Sequence, residues 1–178
     1  MKKMKTVFVM DRSSRPHTCT REVQEQWVLD GEGVATVKVD GTSCLIRDGR
    51  LYKRFDAKEG RAIPEGFEPC EETRDPETGH WPGWVLVGEG PEDKWHRAAF
   101  VEGLKDGTYE LIGPKVQGNR YGIEWHTLVR HGAEEVVVER SYEGLRAWLE
   151  KNEVEGLVFH HPDGRMAKLR RKDFGLKW

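Results

Sequence analysis

Two Asp-Gly pairs constrain this chain more than any other feature in it. Asp48-Gly49 separates two strand-like stretches, residues 43–47 and 50–54, and His161-Pro162-Asp163-Gly164 separates residues 156–160 from 165–170. An Asp-Gly pair supplies the left-handed backbone that a tight turn between antiparallel strands needs, so both segments read as hairpins. Residues 34–39, 84–87 and 108–112 read as further strands. One helix is well marked: Ser141 stands at its start, Tyr142, Leu145, Trp148 and Leu149 fall on one face, and Asn152 marks its end. The expected class is α+β, mostly antiparallel sheet with a few helices. The stretch through Glu25 reads as polar and irregular after the apolar run Val7 to Met10. Residues 56–82, rich in Pro and Gly, read as a long loop with at most one short strand, and loops of that length are usually functional.

A chain of 178 residues suits one domain, taken as 1–178, and 37% hydrophobic residues allow a core without disulfides. The 29 basic and 31 acidic residues leave a net charge of −2, which argues against non-specific binding to a long polyanion. A local basic groove stays open. Cys19, Cys44 and Cys70 cannot all pair and form no Cys-x-x-Cys, so reduced thiols are expected. The run Val7 to Met10 is too short for a signal peptide, and no later stretch reaches membrane-spanning length. A cytoplasmic protein away from membranes is the expectation.

Lys38-Val39-Asp40-Gly41 stands at the end of a strand. A lysine there can project its amine into a cleft while the glycine frees the backbone. A lysine nucleophile must be neutral, whereas an ordinary one, with a pKa near 10.4, is almost wholly protonated at pH 7. Burial or nearby cations must shift that balance. Alone, the tetrapeptide is equally a surface lysine before a turn. Three further segments accompany it. Tyr52-Lys53-Arg54-Phe55 carries two cations; the plain alternative is a solvated strand edge. Glu110 lies in an otherwise apolar strand before a Gly-Pro turn and an amide-rich loop; alternatively it sits on a wet sheet face. In the closing hairpin, alternation places Glu155, Leu157 and Phe159 on one face and Met166, Lys168 and Arg170 on one face of the returning strand. A carboxylate and two cations turned into one cleft suit a hydrated magnesium ion and an α-phosphate. The plain alternative is a surface ion pair.

In this order, the segments resemble the covalent nucleotidyltransferases: RNA ligases, DNA ligases and messenger-RNA capping enzymes. Lys38-x-Asp40-Gly41 resembles that superfamily's motif I, Tyr109-Glu110-Leu111 motif III, Glu155-Gly156-Leu157-Val158 motif IV and Lys168-Leu169-Arg170 motif V. Gly79-His80-Trp81-Pro82-Gly83-Trp84, Glu110-Leu111-Ile112-Gly113 with Gly118-Asn119, His131-Gly132 and Asp173-Phe174-Gly175-Leu176 bring the likeness closest to compact RNA ligases. It implies an adenylation domain of the ligase type and an ATP-dependent RNA ligase joining 5′-phosphate to 3′-hydroxyl ends, with Mg2+ or Mn2+. Lys38 would be the nucleophile that carries AMP, in contact with Asp40 and Gly41. Lys168 and Arg170 would meet the α-phosphate, Lys168 also favouring a neutral Lys38. Arg54 and Glu110 would hold the ribose, and Glu155 the metal. Lys53, Arg171 and Lys172 would meet RNA, Arg171 facing away from Lys168 on a continued strand. Trp125, His126 and Leu128 are candidates to stack on adenine, with a core role preferred for Trp125. Val37 stands where relatives often carry a polar residue before the nucleophile, so base selectivity rests elsewhere. With the chain ending at Trp178, no appended C-terminal domain is expected and the catalytic domain itself must hold RNA. A GMP-transferring or DNA-sealing nucleotidyltransferase and an idle RNA-end binding module are the alternatives.

Overall fold

The structure, a computed structural model, describes residues 4–13, 15–76 and 78–178. Its elements run β1 (Lys5–Thr6), β2 (Phe8–Asp11), β3 (Thr18–Val23), α1 (Gln26–Leu29), β4 (Val34–Lys38), β5 (Thr42–Arg47), β6 (Arg50–Asp56), β7 (Glu68–Pro69) and β8 (Pro82–Leu86). There follow α2 (Lys94–Ala99), β9 (Gly107–Ile112), β10 (Thr127–Arg130), β11 (Glu135–Val136), α3 (Tyr142–Lys151), β12 (Gly156–His160) and β13 (Met166–Arg170). Short 3-10 turns stand at Pro91–Asp93 and Arg171–Phe174. This is the α+β class expected, mostly antiparallel with few helices. No helix among the described residues is long and apolar enough to cross a membrane.

The chain divides into two compact units. The terminal unit combines Met4–Val39 with Gly132–Trp178, and the central unit spans Asp40–His131. The terminal unit holds a five-stranded sheet, ordered β1-β13-β12-β4-β11, and the small β2–β3 hairpin. Pairing in the sheet is antiparallel except for β1 against β13. Leu157 faces Leu169 and Phe159 faces Ala167 across β12 and β13, and all four are fully buried. Leu145 and Leu149, one turn apart on α3, are fully buried in the same core. Ser141 caps α3 by accepting a 3.0 Å hydrogen bond from the Gly144 N–H.

The N-terminal stretch departs from the expectation of irregular chain. Phe8–Asp11 pairs with Thr18–Val23, with a register shift between Phe8 and Met10. Phe8 is fully buried, with its ring 5.0 Å from Tyr142 and 6.3 Å from Phe174. The bulge breaks the two-residue alternation, which hides the hairpin from a pattern search.

The central unit holds a six-stranded sheet ordered β10-β9-β5-β6-β8-β7. Asp48 and Gly49 take φ of 51° and 67°, the left-handed pair that closes β5 onto β6. Cys44, Ile46, Leu51, Tyr109, Leu111 and Leu128 form its core, with Ala99 of α2. The long loop before β8 carries the two-residue strand β7 and packs through Phe67, whose ring lies 5.9 Å from Phe55 and 5.5 Å from Trp81. Cys19, Cys44 and Cys70 form no disulfide, and burial pushes the Cys19 thiol up to about 11 and the Cys44 thiol up to about 12.

Candidate active site

In the terminal unit, β4, β12 and β13 place three cations on one sheet face. Gly156 pairs with Lys38 on one side and Arg170 on the other, and Val158 likewise pairs with Thr36 and Lys168. Cross-strand partners share a face, so Lys38, Lys168 and Arg170 lie opposite the Leu157–Leu169 core face. Gly156 is required by space: a Cβ there would come within 2.3 Å of the Leu169 carbonyl oxygen.

Glu155 corrects the alternation argument. Leu157 and Phe159 face the core, so a strict alternation would carry Glu155 there, away from Lys168 and Arg170. Glu155 precedes β12 and escapes that rule. Its carboxylate accepts a hydrogen bond from the Lys38 ammonium, and the two side chains are 12% and 21% exposed. Lys38 is therefore held as half of an ion pair.

Burial, with Arg170 and Lys38 nearby, pulls Lys168 down to about 8. Lys38 is thus among the cations that act on Lys168. Arg170 is oriented by Asp173, for which the sequence offers no role. The fully buried Asp173 carboxylate accepts from the Arg170 backbone N–H at 2.8 Å, from Nη2 at 2.7 Å and from Nε at 3.2 Å.

Arg171 is placed otherwise than expected. The strand ends at Arg170 and a 3-10 turn begins, so alternation no longer applies. Its guanidinium donates to the Leu149 carbonyl, to the Asn152 carbonyl at 2.7 Å and to the Lys177 carbonyl at 2.7 Å. It closes the C-terminal end of α3. Lys172 is exposed on the same turn.

In the central unit, Glu110 is buried, not on a wet face. Its Oε1 accepts from the Gly41 N–H at 3.2 Å and its Oε2 lies 2.7 Å from His131 Nε2. His131 belongs to the His131-Gly132 string, yet its contact crosses strands and leaves no local signal in the sequence. Gly41 must be glycine, because a Cβ would lie 2.2 Å from the Leu111 carbonyl oxygen. The segment Asp40-Gly41 is also gripped by the loop after β9. Asp40 N–H donates to the Tyr121 hydroxyl at 2.6 Å, Gln117 Nε2 donates to the Gly41 carbonyl at 3.3 Å, and Arg120 Nε lies 3.6 Å from Asp40 Oδ2.

Lys53 and Arg54 do not form one patch. As neighbours on β6 they face opposite sides of the sheet. Lys53, paired in register with the buried Cys44, donates at 2.5 Å to the buried Asp93. The sequence expects Lys53 to meet RNA; here its ammonium is held by Asp93. Arg54 stacks over Trp84, 5.4 Å from the ring centre, with Cys70 Sγ 4.0 Å from its Nη1. Leu128 is core, His126 stacks on Trp95, and Trp125 is 65% exposed, against the preferred core role.

No group of three or more His, Cys, Asp or Glu side chains able to hold a metal ion occurs among the described residues. Glu155, the carboxylate paired with Lys38, would suit a magnesium or manganese ion that keeps most of its water.

Comparison with known proteins agrees with the family reading. A family model described as RNA ligase 1 matches residues 98–178. RNA ligase 1 of Mus musculus is 26% identical, across 99% of this chain and 81% of that protein. RNA ligase 1 of Danio rerio is 30% identical, across 81% of this chain and 68% of that protein.

Proposed function

The chain belongs to the RNA ligase 1 family, and from that premise we propose an ATP-dependent RNA ligase that joins 5′-phosphate and 3′-hydroxyl ends through a lysyl-AMP on Lys38. The observation that carries the reading is the Lys38–Glu155 ion pair on a sheet face shared with Lys168 and Arg170. An amine held there has phosphate-binding cations beside it and a carboxylate at hand.

The chemistry runs in three steps. The Lys38 ammonium releases a proton to water and the neutral amine attacks the α-phosphorus of ATP; the N–P bond forms as the α–β bridging P–O bond breaks, and pyrophosphate leaves. A 5′-phosphate oxygen of RNA then displaces Lys38, taking AMP. A 3′-hydroxyl attacks the activated 5′-phosphate and AMP leaves. Lys168 and the Asp173-oriented Arg170 stabilise charge on the α-phosphate in the first two steps. The ion pair with Glu155 must open for Lys38 to become neutral. A divalent ion at Glu155, when bound, supplies charge neutralisation on the phosphates. Arg54 and Glu110 take the ribose in this reading, which for those two rests on the family resemblance; Glu110 is pre-set by Gly41 and His131.

The test supplies the protein separately with α-labelled ATP and GTP plus magnesium, then with 5′-phosphorylated RNA or nicked DNA. Label from ATP on the protein, passing to the RNA 5′ end before a joined product appears, is expected. Label from GTP, sealing of DNA alone, or RNA binding without any label would each overturn the proposal.

A further inference from the structure

The loop between β9 and β10 both contacts the segment after Lys38 and carries an exposed indole. Tyr121 and Gln117 bond the backbone of Asp40 and Gly41, two and three residues past the nucleophile in the chain, and Arg120 pairs with the Asp40 carboxylate. Asn119 stiffens the loop, its side chain bonding the Ile123 carbonyl at 3.0 Å and the Ile123 N–H at 3.1 Å. At the loop's end His126 packs against Gly113, where a Cβ would stand 2.5 Å from His126 Cδ2. That ring stacks on Trp95 at 4.4 Å and 13°, and Lys94 Nζ stands 4.3 Å from the centre of the Trp95 ring. The Lys115 backbone N–H reaches His126 Nε2 at 3.4 Å.

Beside this column stands Trp125, the residue before His126 in the chain, with 65% of its surface in solvent. Lys94 and Lys115 are exposed; within residues 115–126 Glu124 is the only acidic residue, Arg120 there is paired with Asp40, and Lys94 follows the exposed Glu92. An exposed indole next to a stacked ring pair, with exposed lysines on the segments that carry that pair, is suited to stacking a nucleobase while ammonium groups meet its phosphates.

We propose that Trp125, with Lys94 and Lys115, is a docking platform for a single-stranded RNA end, a reading that rests on the ligase assignment above. The loop's grip on Asp40 and Gly41 ties that platform to the backbone just after the lysine that carries AMP. An RNA end captured there is held by the same loop that fixes this segment of the nucleophile motif.

The test uses the full chain and a fluorescein-labelled, single-stranded, 5′-phosphorylated RNA, read by anisotropy over a salt series. Intact mass follows lysyl-AMP formation from ATP in parallel. Trp125→Ala is expected to weaken RNA binding about ten-fold, with Trp125→Phe recovering most of it. Lys94→Ala and Lys115→Ala should each reduce the slope of log affinity against log salt by about 0.7. Lysyl-AMP formation should stay as in the unmodified protein. RNA affinity unchanged in Trp125→Ala overturns the platform. Loss of lysyl-AMP in proportion to RNA binding overturns it too, since the indole would then serve ATP. Absence of lysyl-AMP in the unmodified protein sinks the ligase reading instead, while the RNA affinity of Trp125→Ala still decides the platform.

Discussion

On a continued strand Arg171 turns to solvent and meets RNA; one residue of backbone geometry changes that. With the strand ended at Arg170, the Arg171 guanidinium satisfies carbonyls at the C-terminal end of α3, where a cation also complements the helix dipole. Arg171→Ala should therefore cost about 1–2 kcal/mol of stability, read as a lower urea midpoint. The salt slope of RNA affinity should not change. An unchanged midpoint with a reduced slope would return Arg171 to the RNA path. Lys168 gives the opposite case, a residue kept at a cost. Its folded value of about 8 lies below the 10.5 of an unfolded lysine, so between those values the folded chain binds fewer protons. Stability attributable to Lys168 thus rises as pH climbs from about 8 to 10.5, and the penalty is fully present below 8. Lys168→Met should stabilise the protein at pH 7 by on the order of 2 kcal/mol. The advantage should shrink as pH approaches 10, while lysyl-AMP formation is lost. Equal stabilisation at pH 7 and pH 10, by urea unfolding, would remove the burial argument.

Elements with a local signal are legible in the sequence. Asp48-Gly49 forms its turn because two left-handed residues are what that turn demands, and Ser141 starts α3 because its hydroxyl accepts the Gly144 N–H. Ser141→Ala should lower stability by about 1 kcal/mol, seen as a fall in the thermal midpoint. No change would mean that packing of Leu145 and Leu149 alone sets the start of α3. Elements whose signal is non-local are not legible in that way. The β2–β3 hairpin is hidden by its register shift, and the packing of Phe67 against Phe55 and Trp81 depends on partners many residues away. Strand alternation holds for Lys168 and Arg170, which lie inside β13. It misleads for Glu155 and Arg171, which lie one residue beyond a strand end.

Across the whole molecule, motif order is more readable than motif geometry. Lys38, Glu155, Lys168 and Arg170 fall in the terminal unit, while Asp40, Gly41, Arg54 and Glu110 fall in the central unit. The boundary runs through the four residues of the nucleophile motif itself. Spacing in the sequence cannot show that Asp173 orients Arg170, that His131 bonds Glu110, or that Asp93 claims Lys53. Each of those contacts is made by a side chain whose partner is chosen by folding. A net charge of −2 likewise says nothing of where cations gather.

The central claim is that Lys38 carries AMP, and peptide mapping by mass spectrometry tests it most directly. Protein incubated with ATP and magnesium would be digested under conditions that spare the acid-labile N–P bond. One AMP on the peptide containing Lys38 is predicted, and none on Lys38→Ala protein that retains its thermal midpoint. AMP on a different residue, AMP persisting in the alanine variant, or no AMP on the unmodified protein would contradict the account.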